Sequence, residues 1–127
     1  MNPSVAAVVV SRGRLLLLRH DELDGETTWL LPQGVVADGE SAEDAVVRET
    51  MLVAGMTVEV LRTLGEAPDG FGRMITYLAC APVDDASFTV DVGSLGRQEW
   101  CGQAELLHHL PSPFPDPVQR YIDTSIG

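Results

Sequence analysis

Trp29-Leu30-Leu31-Pro32-Gln33-Gly34 leads through Val35–Gly39 to Glu40, Ser41–Val47, Arg48-Glu49 and Thr50-Met51-Leu52-Val53-Ala54-Gly55-Met56, and this run decides the fold. Ser41 is a good N-cap, and Asp44 three positions on completes an S-x-x-D capping signature. Gly55 stands where a helix C-terminus favours a left-handed residue. The two signals bracket a predicted helix over Ala42–Ala54, about four turns long.

At helical spacing Ala42, Ala45, Val46, Leu52 and Val53 fall on one side, with Glu49 in the middle of the stripe. A carboxylate among apolar neighbours is costly unless something pairs with it or coordinates to it. Arg48 points away from Glu49 and is placed to reach back towards Glu40. Val47, Met51 and Ala54 leave the far side of the helix apolar as well, which suits a subunit interface and a possible homodimer.

The spacing Gly34-x5-Glu40-x7-Arg48-Glu49-x5-Gly55-Met56, behind a Trp-x-x-Pro-x-Gly approach, resembles the Nudix box. The resemblance extends over the whole chain in layout. It implies a Nudix fold, an α/β/α sandwich around a mixed central sheet, with residues 1–127 forming a single Nudix domain. Nudix hydrolases cleave a nucleoside diphosphate linked to another moiety, so the implied ligand is a nucleotide-like small molecule and the implied reaction is that of a pyrophosphatase. The implied motif residues are Gly34, Glu40, Arg48 and Gly55, with Glu49 as catalytic residue and with Glu49 and the Gly34 carbonyl as metal ligands.

The family implies magnesium or manganese as cofactor. Two glutamates that complete its cation-binding cluster would fall at positions 52 and 53, where this chain has Leu52 and Val53. Gln33 occupies a position that is often glycine, and Ala37 one where a further acid is frequent. Hard cations take clustered oxygen ligands, and Glu43 and Asp44 project to the opposite side of the helix from Glu49. Substitute ligands must therefore come from elsewhere: Asp69, Asp91 and Glu99 are the candidates, each with a plain reading as a surface acid. Glu99, just before Trp100, is also the candidate for a late catalytic acid. Two readings follow: a hydrolase with weak or absent turnover, or a non-catalytic module binding a nucleotide-like ligand or a protein partner.

Candidate substrate contacts are Arg19, at the end of a strand, and the aromatic residues Trp29, Phe71 and Tyr77, which could stack on a ring. Arg19 reads equally as a surface arginine, and Trp29 and Tyr77 as core residues. Phe71 lies on a glycine-flanked loop.

Elsewhere, Ser4–Val10 and Arg14–Arg19 form a predicted hairpin across Ser11-Arg12-Gly13. Further strands are predicted at Trp29–Leu31, Met56–Gly65, Arg73–Val83, Phe88–Val92 and Gln98–Cys101. A short helix follows at Gln103–Leu110, and Asp116 caps a last one running to about Asp123 with Pro117 at its first position. Alternation of strands and helices indicates an α/β protein.

The chain has 127 residues, 45% hydrophobic and 21% charged, which suits one globular domain. Its net charge is −11 and all its basic residues are arginine, which argues against binding nucleic-acid polymers. Acid runs such as Asp21–Glu26 and Asp84-Asp85 read as solvated faces. No apolar run approaches the roughly 20 residues of a membrane span, and Met1–Ser4 lacks a basic region, so a cytoplasmic protein is expected. Cys80 and Cys101 lie in apolar, strand-like contexts and are read as buried free thiols. No Cys/His spacing suggests a zinc motif, and His108-His109 is read as surface.

Overall fold

The computed structural model describes residues 2–83, 97–110 and 112–127. The element order is β1 (Ser4–Ser11), β2 (Arg14–Asp21), β3 (Thr27–Leu30), β4 (Gln33–Val35), α1 (Ala42–Ala54), β5 (Val58–Pro68), β6 (Met74–Pro82), β7 (Arg97–Cys101), α2 (Gln103–His109) and α3 (Asp116–Ser125). The predicted strand Phe88–Val92, the candidate ligand Asp91 and the pair Asp84-Asp85 lie outside the described residues.

Strand β1 runs through the centre. Its Val5–Val9 stretch is buried on both faces, as a continuous apolar run in a covered sheet should be. One edge of β1 pairs with β6 in parallel, Ser4 with Ile75 through Val9 with Cys80. The other edge is shared: β4 pairs antiparallel at Ser4–Ala6, and β2 at Val10 and Ser11. Between the two, the Ala7 N–H donates to the Pro32 carbonyl at 2.8 Å. The sheet continues as β3-β2-β1-β6-β5, with β7 on β2. Among the described residues, one parallel pair among antiparallel ones makes it mixed, as the resemblance implies.

Alternation along β1 separates two cores. Val5, Ala7 and Val9 pack with Leu16 and α1, while Ala6 and Val8 pack with Leu15, Leu17 and the apolar residues of α2 and α3, including Leu106, Val118 and Ile122. The result is an α/β/α sandwich. Among the described residues no helix is long and apolar enough to cross a membrane.

Both ends of α1 fall where its caps predict. Ser41 Oγ accepts from the Asp44 N–H at 3.0 Å, and Gly55 adopts φ 65° while its N–H donates to the Met51 carbonyl at 2.9 Å. The buried stripe is rotated from the sequence projection. It comprises Ala45, Val46, Thr50 and Ala54, whereas Leu52 is 63% exposed and Val53 is half-buried. Thr50 tolerates full burial because its hydroxyl donates to the Val46 carbonyl at 2.6 Å. Val47 and Ala54 thus belong to the core, and the exposed apolar side of α1 reduces to Met51 and Leu52.

Two smaller departures have local causes. Gln33–Val35, expected as part of a turn, is a three-residue strand because β1 offers it a free edge. Pro115, not Asp116, is the cap residue of α3, with no side-chain cap bond.

Candidate functional site

The turn after β4 is fastened to α1 by one arginine. Arg48 Nε and Nη2 donate to the two carboxylate oxygens of Glu40, each at 2.9 Å, and Nη2 also donates to the Val35 carbonyl at 3.0 Å. Its Nη1 donates to Glu49 Oε1 at 2.8 Å. Adjacent helix positions do not share a face, so the sequence points Arg48 away from Glu49; the long side chain nevertheless reaches sideways and holds both glutamates. Glu40 also accepts from the Ala37 N–H at 2.9 Å. These charge-assisted bonds, the Arg48 contact first, hold the Glu40 carboxyl down at about 2, and the same two glutamates push the Arg48 guanidinium further up.

Glu49 lies at the border of the buried stripe, its side chain 14% exposed. Its carboxyl group packs directly on Gly34, and a Cβ there would overlap the Glu49 Cδ, Cγ and Oε2 atoms. Glycine at position 34 is thus required by close approach, with β4 holding it opposite Val5. Glu49 and the Gly34 backbone are brought together.

The rest of this face is apolar. Val53 lines a hollow of about 140 Å³ with Leu18, Leu30 and Leu31, rimmed by Arg19, His20 and Gln33. Arg19 is tied to Asp21 at 2.9 Å.

A larger hollow of about 500 Å³ opens beside Gly34 and is bordered by Gln33, Asp69, Phe71 and Tyr77. Asp69 Oδ1 accepts from the Phe71 N–H at 2.6 Å and the Arg73 N–H at 3.1 Å, shaping the β5–β6 turn and presenting Phe71 with 88% of its surface exposed. Burial, with a smaller contribution from Asp69, raises the Tyr77 phenol.

The other candidates cluster elsewhere. Gln98 donates to the Ala54 carbonyl at the end of α1, so on β7 the alternating Glu99 faces the opposite side of the sheet, with its partner Leu17. There Glu99, Arg19, Trp29, Gln98 and His109 border a hollow of about 360 Å³. Trp29 stacks on His109 with centroids 3.8 Å apart and planes at 19°. Of the four substrate-contact candidates, Arg19 and Trp29 therefore meet around Glu99, while Phe71 and Tyr77 stand with Gly34 and Asp69. His109, read from sequence as surface, is half-buried by the Trp29 stack. Its only sequence signal was its place in the last turn of a short helix, which folds back over β7.

A mixed sheet between helices thus carries a Gly34–Glu49 contact held by Arg48, which also binds Glu40. The chain belongs to the Nudix family: the NUDIX domain matches residues 1–121. An RNA pyrophosphohydrolase from Dinoroseobacter shibae is 44% identical over 41 residues, which is 32% of this chain and only 26% of that relative's length. A Nudix hydrolase from Nitrosomonas europaea superposes with a TM-score of 0.70 at 20% identity, covering 97% of this chain and 72% of the other. An ADP-ribose pyrophosphatase from Streptococcus suis gives 0.57 at 19% identity, covering 78% and 72%. At these identities the two structures speak for the fold.

Proposed function

We propose that this Nudix-family chain, residues 1–127 acting as one domain, takes a nucleotide-like diphosphate but hydrolyses it weakly or not at all. The observation that carries the reading is the donor set on α1. Glu49 is already held by Arg48, and the positions that follow on its face are Leu52 and Val53. Magnesium or manganese takes about six oxygens, usually with more than one carboxylate among them. One engaged carboxylate and the Gly34 carbonyl do not fit such an ion. Among the described residues, the cluster of three possible ligand side chains lies across the sheet and excludes Glu49.

The residues still suit a ligand. Arg19 offers positive charge at the rim of the Val53 hollow, and Phe71 offers an exposed aromatic face beside Gly34. The sizeable net negative charge, −11, argues for a small ligand and against nucleic-acid polymers or an anionic membrane. A cytoplasmic setting accords with two free, buried cysteines. A second reading, a protein-binding module or a homodimer, is favoured by the exposed Met51 and Leu52 on α1.

Titration calorimetry with magnesium and manganese tests the proposal, with Glu49→Gln as control. We expect the two proteins to give the same heats at millimolar metal, with no binding that depends on Glu49. Binding that Glu49→Gln abolishes would overturn the reading and restore a hydrolase.

A further inference from the structure

Strand β7 carries Glu99 and Cys101 on one face, two residues apart, opposite Leu17 and Leu15 of β2. Gly102 then opens α2, and seven residues later the helix ends at His109, back above the same strand. The carboxylate of Glu99, the Sγ of Cys101 and an imidazole nitrogen of His109 lie within 4.8 Å of one another. His109 Nε2 is 2.9 Å from Glu99 Oε2. That oxygen is shielded from solvent, and its close approach to the imidazole is an ion pair only when the ring carries a proton. With the ring neutral, a bound cation would supply the positive charge that the shielded oxygen lacks.

We propose that Glu99, Cys101 and His109 bind one transition-metal ion of the zinc class on the α2 face of the sheet. Thiolate, imidazole and carboxylate together suit a borderline ion; hard ions such as magnesium favour oxygen alone. With bonds of about 2.0–2.1 Å, a 2.9 Å separation of nitrogen and oxygen subtends roughly 90° at the ion. The widest donor pair must close from its limit of 4.8 Å to about 3.5 Å, a contraction that side-chain rotation supplies, Glu99 being 42% exposed. As the Sγ–metal bond forms, the thiol proton leaves to solvent. The remaining coordination position faces the hollow bordered by Gln98, Trp29 and Arg19. Arg19, on that border, is paired with Asp21 at 2.9 Å, which offsets its repulsion of the ion. The ion would tie the last turn of α2 to β7.

The test is a cobalt(II) titration of the reduced, chelator-treated full chain, followed by absorption and then by displacement with zinc. The expected result is one ion per chain with a sulfur-to-cobalt charge-transfer band. Cys101→Ser abolishes the band, Glu99→Gln weakens binding at least tenfold, and His108→Gln and Glu49→Gln leave it unchanged. Absence of the band from the wild-type protein overturns the proposal. Wild-type affinity in Glu99→Gln also overturns it, and because this side chain is partly exposed, the variant decides even if Cys101→Ser fails to fold. The Glu49→Gln control keeps the outcome separate from that for the α1 face.

Discussion

Restoring Leu52→Glu and Val53→Glu together converts the α1 face from one carboxylate to three. Leu52 is 63% exposed, so its replacement changes stability by no more than about 0.5 kcal/mol. Val53 is half-buried beside Leu18, Leu30 and Leu31, and a carboxylate there costs about 1–3 kcal/mol without a cation. A domain of ordinary stability, about 5–15 kcal/mol, tolerates that sum. Each lost metal-site partner typically costs about 10–100-fold in affinity or activity, so two restored ligands should raise turnover about 10²- to 10⁴-fold. The assay is release of products from ADP-ribose and related nucleoside diphosphates at fixed magnesium, with circular dichroism and a thermal melt confirming the fold. Wild-type turnover within tenfold of the usual range of about 1–10³ s⁻¹ would refute the reasoning. So would a double variant that binds magnesium in calorimetry yet stays at the wild-type rate.

Three further outcomes follow from single residues. Ser41→Ala removes the bond from the Asp44 N–H and should cost about 1 kcal/mol in chemical denaturation; an unchanged midpoint would show the cap to be idle. The Glu40 carboxyl sits near 2 in the fold against 4.5 ordinarily, so its contribution is full above pH 4.5 and is lost as the pH falls through 2. Denaturation midpoints should decline across that window, and Glu40→Gln should flatten the decline; equal slopes would dismiss the Arg48 clamp as a source. Burial pushes Cys80 up to about 12 and Cys101 to about 11, so a thiol reagent at pH 8 should modify both only on unfolding. Rapid native labelling of either would contradict their packing.

The Nudix layout was legible because Gly34, Glu40, Arg48, Glu49 and Gly55 stand at fixed spacing and because Ser41 and Gly55 mark helix ends by local backbone chemistry. Both are short-range signals. The rotation of α1 was not legible, since Leu52 and Thr50 have the hydrophobicities that would reverse their observed places; packing against β1 chose Thr50, whose hydroxyl finds a carbonyl within its own helix. Nor was the Glu99–Cys101–His109 group, whose spacing matches no zinc motif and which exists only because α2 folds back along β7.

The position of Glu99 also keeps this late acid off the α1 face of the sheet. Along β7 only alternate residues face α1, and Gln98 holds that place, with its amide donating to the Ala54 carbonyl. A carboxylate at 98 would lose this bond and set a negative charge against the negative end of the helix dipole. At 99 the charge avoids the helix end but lies across the sheet from Glu49, beside Trp29 and His109. The strand's own alternation therefore turns the two acids to opposite faces of the sheet.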